Sequence, residues 1–356
     1  MDRKNNFDFM RLVAATLVVY SHSFPLLGYY GQEPFARWSG YFTGGALGVA
    51  IFFAMSGYLV TASQQNSANV LEFLSKRALR IFPGLAVVVL LCAFVLGPLL
   101  TTMPLSEYLR HGATRDYLWN IALWVHYPLP GMFANLPHAG SINGSLWTLP
   151  IEAAMYAAVA LLGVAGLLKR QWIPFVLVAL VALYAYLSFD KSLQNLPVWR
   201  IGPLKECTKF GIYFFAGSAL YLFDRIVPWR AWIAALLLIA WIATFKTPAG
   251  IYCMFVAVPY CTLYIARANV QPLANFGRYG DFSYGLYIYA FPIQQTLVYL
   301  LGKQNISPVQ LFFAAQVLAL GCAFLSWHFV EKPALQLKHR LPFARRSTAS
   351  GATAGR

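Results

Sequence analysis

Few side chains in this 356-residue sequence can do chemistry, and the most conspicuous stand in helical register inside apolar runs. Arg11 and His22 lie in FDFMRLVAATLVVYSHS, 11 residues apart. That is about three turns at 3.6 residues per turn, so both occupy one helix face, about 16.5 Å apart along the axis. Asp8, one turn before Arg11, is placed to pair with it. Ionisable groups inside apolar spans are costly and mark function by default. A cation near one end and an imidazole toward the other suit an anion site and a proton acceptor. Each also has a plain structural reading: a snorkelling anchor for Arg11, a hydrogen bond between helices for His22.

Glu152, in SLWTLPIEAAMY, lies about two turns from the outer end of its apolar run, a depth similar to that of His22. If the two helices pack together, the carboxylate would orient the imidazole or raise its pKa, as a general base requires. Ser145, Thr148 and Tyr156 share the Glu152 face and could satisfy the carboxylate by themselves. A third group, FLSKRALRIFPGL, reads as a loop on the inner side and carries Lys76, Arg77 and Arg80. Arg77 and Arg80 are at i and i+3, a fork that matches phosphate or pyrophosphate on a helix. Ordinary orientation charges would look the same. Gly44, Gly45, Gly48 and Gly57, with Ser56, permit close helix approach; a covalent acyl carrier at Ser56 is the sharper alternative.

The elements that must position these groups are membrane helices. The chain is 59% apolar and 11% charged, against about 25% charged in soluble domains. Ten runs are long or apolar enough to count as spans of about 20 residues: 8–29, 44–64, 81–101, 146–167, 172–188, 208–223, 229–246, 250–266, 283–302 and 308–330. The fold class expected is therefore an all-α integral membrane protein with about ten transmembrane helices in one bundle. With ten spans, 18 of the 27 Lys and Arg residues fall on the side of the termini, which makes both termini cytoplasmic. The membrane domain is expected over 1–335 and a basic, disordered cytoplasmic tail over 336–356. The opening MDRKNN resembles a signal peptide, but Arg11 and His22 interrupt the apolar core, so it reads as an uncleaved first span. The longest outer connection, 102–145, is expected to carry a surface helix near 114–126. The net charge of +15 lies in short clusters between spans, without a nucleic-acid motif. The five cysteines form neither a disulfide framework nor a metal-ligand pattern and read as small buried hydrophobes.

Several motifs together resemble the acyltransferase-3 family of bacterial integral membrane O-acyltransferases, over about residues 5–335. They are Arg11 and His22 as R-x10-H, Phe52 to Leu59 as FFxxSGYL, and Arg77, Arg80 and Pro83 as RxxRIxP. Ser145, Trp147, Glu152 and Tyr156 then match SLWxLxxExxxY, Ser283 to Pro292 match SYxLYxxxxP, and Glu331 to Pro333 close as E-[RK]-P. Each piece is weak, and six in order are specific. The resemblance implies transfer of an acyl group, usually acetyl, from acyl-CoA. It implies His22 as catalytic, Glu152 as its partner, and Arg11, Arg77 and Arg80 near the donor. Many relatives carry a His in the ninth span where this chain has Ala290.

The function expected is an O-acetyltransferase of the bacterial cytoplasmic membrane. Acyl-CoA would be the donor and an envelope or secreted glycan, free or lipid-linked, the acceptor. His22 would act as general base, and a covalent relay intermediate stays open. The alternative is a multi-pass transporter or flippase for an anionic or lipid-linked substrate, disfavoured by the absence of a visible repeat. A lipid-linked-sugar glycosyltransferase would use acidic residues on an early outer loop, where only Glu33 occurs.

Overall fold

The computed structural model describes residues 5–268, 270 and 273–339. Among the described residues the α-helices of 13 residues or more are ten: α1 Phe7–His22, α2 Gly44–Gln65, α3 Val70–Leu91, α4 Thr148–Val164 and α5 Ile173–Phe189. They continue as α6 Leu204–Leu222, α7 Ala231–Ala243, α8 Ala249–Arg267, α9 Ser283–Leu301 and α10 Pro308–Ser326. The only sheet among the described residues is one short antiparallel pair, Pro197–Val198 with Gly202–Pro203. The expected tail from residue 336 begins as a short helical turn, Leu337–His339, and its remainder lies outside the described residues.

Local chemistry starts the helices. The Thr43 hydroxyl accepts from Ala46 N at α2, and Asn69 Oδ1 accepts from Glu72 N at α3. Ser307 and Gln310 form a reciprocal capping box at α10, satisfying donors the helix itself cannot. Glu33 is buried and accepts from Ala36 N at 2.7 Å and Gly44 N at 3.0 Å, so this loop carboxylate closes two helix starts. Lys76, Arg77 and Arg80 were expected in a loop; they lie on α3, which begins eleven residues before the apolar run. The Asn69 cap and a Glu72–Lys76 pair at 2.7 Å extend the helix through the basic segment. The surface helix expected near 114–126 is instead split into Leu105–Arg110, Gly112–Tyr117 and a tight turn Leu118–Ala122. Leu123, with φ 62°, ends it in the left-handed region.

Among the described residues, six helical segments are long and apolar enough to cross a membrane, including Phe7–Leu27, Val70–Leu100 and Pro308–Gln336. Helices α5 and α7 are apolar but shorter. Helix α9 is lowered in hydropathy by Tyr and Gln residues that face inward: Gln294 and Gln295 are fully buried. Conversely, Phe189, Phe313, Val317 and Phe329 point outward and are 62% to 91% exposed. An exterior this apolar requires lipid.

In the interior α2 packs against α1 and α6, and α9 against α1 and α10. A Cβ on Gly57 would collide with Phe214 O, and one on Gly217 with Ala54 O, so α2 and α6 touch backbone to backbone. Overpacking such a seam costs about 1–3 kcal/mol or more. Gly57→Val should therefore lower the melting temperature of the detergent-solubilised protein. An unchanged melting curve would contradict the close approach. Ala290 belongs to a buried apolar cluster with Ala15, Val19, Leu286, Ala315, Ala319 and Ala323, which joins α1, α9 and α10.

Candidate active site

Two cavities lie along the bundle. The first is lined by Arg11 of α1, Ser56 of α2, Arg77 and Arg80 of α3, Glu152 and Tyr156 of α4, and Tyr284 of α9. The second is lined by His22 of α1, His138 and Ser141 of the long connection, Gly144 before α4, and Phe291 of α9. On α1 the step from Arg11 to His22 is about 16.5 Å along the axis, and on α9 the step from Tyr284 to Phe291 is about 10.5 Å. Both helices run from one cavity to the other in the same sense. The first cavity is also lined by Thr148 and Tyr287, whose Oγ1 and Oη share a hydrogen bond at 2.6 Å, and by Phe52, whose ring is set edge-on against Tyr287.

The Arg cavity rests on a charge network. Arg11 Nη1 donates to Asp8 at 2.8 Å and to Asp281 Oδ2 at 3.1 Å. Arg80 Nη2 donates to the same Asp281 oxygen at 2.5 Å, and its Nη1 lies 3.9 Å from Glu331. Asp281 also accepts from Ser283 N and Oγ, which starts α9. Burial alone would raise the Asp281 carboxyl, but the Arg80 and Arg11 guanidiniums prevail and hold it below the usual carboxylate range. A carboxyl depressed in the folded state stabilises fully above its unfolded pKa and loses that contribution as pH falls through the folded value. Asp281 is thus charged across the physiological range.

Arg77 is different. Among the described residues it has no hydrogen bond or ion pair, and its buried Nε has no partner. Its guanidinium stands 5.8 Å from the Tyr156 ring centre. Tyr156 donates to Glu152 Oε1, and Ser56 Oγ donates to the same oxygen at 3.4 Å. The predicted groups Arg11, Arg77, Arg80 and Glu152 therefore share one cavity. His22 does not line it, so the structure does not bring Glu152 and His22 into one site.

The His22 pocket is built by adjacent glutamines of α9. Gln294 Nε2 donates to Val19 O at 2.9 Å and Ser23 Oγ at 2.8 Å, fixing the end of α1. Gln295 Nε2 donates to His138 O and Ser141 O, both at 2.8 Å, fixing the loop opposite. The His22 and His138 rings stand edge-on to Phe291, with centres 5.2 and 5.9 Å from it. Burial lowers the His138 pKa from its ordinary value, so its ring is neutral at neutral pH.

Asp281, Glu331, His138 and the glutamine pair were not singled out from the sequence as site residues. Asp281 carried a signal, a charge two residues before the start of the SYGLY run. His138 sits in a Pro- and Gly-rich connection that hydropathy leaves blank.

An acyltransferase domain family matches residues 4–328 of the chain. The chain is 35% identical over 343 residues to an O-acetyl transferase of Shigella phage Sf6, covering 93% of this chain and 96% of that protein. It is 29% identical over 371 residues to nodulation protein 10 of Rhizobium leguminosarum bv. viciae, covering 97% of each. No solved structure matches.

Proposed function

Because the chain belongs to the acyltransferase-3 family, a group of membrane acyltransferases, we propose that it moves an acetyl group from acetyl-CoA to a hydroxyl of an envelope or secreted glycan. The setting is the bacterial cytoplasmic membrane, with ten spans and both termini cytoplasmic. The Arg cavity then faces the cytoplasm and the His22 pocket the opposite side. The relative named as an O-acetyl transferase supports the acyl group and the oxygen acceptor.

The observation that carries the reading is the alignment of an arginine-lined cavity and a histidine-lined pocket along the same helices. Arg77, with an unpartnered buried Nε, is the group best suited to a donor phosphate, since a guanidinium fork matches its oxygens. Arg11 and Arg80 shape the mouth while bound to Asp281. Glu152 works from this cavity, beside Arg77. The pantetheine arm has a length comparable to the Arg11–His22 separation and carries the thioester past Thr148 and Tyr287. At His22 the imidazole takes the acceptor hydroxyl proton as that oxygen attacks the thioester carbonyl. The carbon–sulfur bond then breaks, and the imidazolium returns the proton to the leaving thiolate.

Proton NMR and mass spectrometry of the surface glycan from a deletion strain test this function. Acetyl esters should disappear on deletion and return with the wild-type protein. Esters that persist in the deletion strain would instead favour the carrier or flippase alternative. Arg77→Gln is expected to raise the KM for acetyl-CoA about ten-fold or more, as loss of a charged hydrogen bond implies, with little change for the acceptor. An unchanged donor KM would remove Arg77 from the donor site.

A further inference from the structure

We propose that His138 and Ser141 form an acceptor subsite in the His22 pocket, taking hydroxyl groups adjacent to the one that His22 deprotonates. The pocket would then select a polyol ring over a simple alcohol. This rests on the acyl-transfer reading above and adds to it the residues that hold the acceptor.

Three observations converge. His138 and Ser141 face the pocket that His22 lines, and their backbone carbonyls are both held by the buried Gln295 amide. The loop is thereby fixed in register with α9, as a positioning element must be. The Tyr30 hydroxyl lies 2.9 Å from Pro137 O and 3.3 Å from His138 Nδ1. With the Tyr30 proton on the shorter contact, to Pro137 O, the matching tautomer of a neutral His138 carries its hydrogen on Nδ1 and donates to the Tyr30 oxygen. A neutral ring in that tautomer keeps its lone pair on Nε2, ready to accept from a hydroxyl. Finally, Ser141 is 7% exposed, and among the described residues its hydroxyl has no hydrogen-bond partner. A buried hydroxyl left unpaired beside a pocket calls for a ligand group. Sugar hydroxyls can donate to Nε2 and exchange a hydrogen bond with Ser141 Oγ, whereas a lone alcohol group at His22 reaches neither.

Membranes bearing the wild type, His22→Ala, His138→Leu, His138→Gln or Ser141→Ala would be given radiolabelled acetyl-CoA. The acceptor would be the strain's own surface glycan, stripped of esters by alkali and titrated over a concentration range. The wild type should label the glycan and His22→Ala should not. His138→Leu should raise the acceptor KM about ten-fold and Ser141→Ala by a few-fold, each with an unchanged donor KM. His138→Gln, which keeps a hydrogen-bonding group, should recover part of the loss. Unchanged acceptor KM values, or donor and acceptor KM values rising together, would overturn the subsite. If His138 variants fail to accumulate, Ser141→Ala, which only deletes one oxygen, decides the question by the same readout. Absence of labelling by the wild type would overturn the function itself, and the subsite with it.

Discussion

Replacing His22 with Ala is expected to reduce acetyl transfer by about 10²–10⁴-fold, the range associated with losing a positioned general base. The variant should still fold. Among the described residues the His22 ring makes no hydrogen bond or ion pair, and it stands edge-on to the Phe291 ring. The end of α1 is secured independently, by Gln294 to Val19 O and Ser23 Oγ. Normal accumulation in the membrane with lost glycan esters is therefore the expected pair of observations. Full ester content in a strain carrying only His22→Ala would sink the base assignment.

The largest effect on stability is expected at Asp281. Its carboxylate receives both Arg11 and Arg80 and also holds the first turn of α9 through Ser283. Asp281→Ala leaves two part-buried guanidiniums without that partner, a loss of about 3–5 kcal/mol for breaking a buried pair. The variant should accumulate poorly or melt well below the wild type in detergent. The double variant Asp281→Leu with Arg80→Met should recover part of the loss, because replacing both charges removes the uncompensated cation. Wild-type melting of Asp281→Ala would show that the network does not hold the fold. A single variant of Arg77 should behave oppositely, losing donor affinity with little change in melting, since Arg77 makes no hydrogen bond or ion pair among the described residues.

Much of the site could be read in advance because its spacing is local. R-x10-H places Arg11 and His22 on one face of α1 whatever surrounds it, and RxxR places Arg77 with Arg80. The starts of α2, α9 and α10 also match the expected boundaries, as hydropathy changes abruptly there and Thr43 and Ser307 supply caps. The start of α3 escaped because hydropathy sees the charges of Glu72, Lys76, Arg77 and Arg80 as a loop. Their i, i+4 pairing and the Asn69 cap extend the helix through them.

By itself the sequence determined the helices, their apolar exterior and which side chains share each helix face, since propensity, capping and periodicity act within a few residues. Only the tertiary structure decided which faces meet. It set Asp281 against Arg11 and Arg80 across most of the chain's length. It placed Glu152 with Ser56 and Tyr156 in the Arg77 cavity, and brought the 138–141 loop over His22 through one amide of Gln295. Those partners depend on the order and rotation of packed helices. Close contacts such as Gly57 on Phe214 and Gly217 on Ala54 select that arrangement, and neither hydropathy nor spacing encodes it.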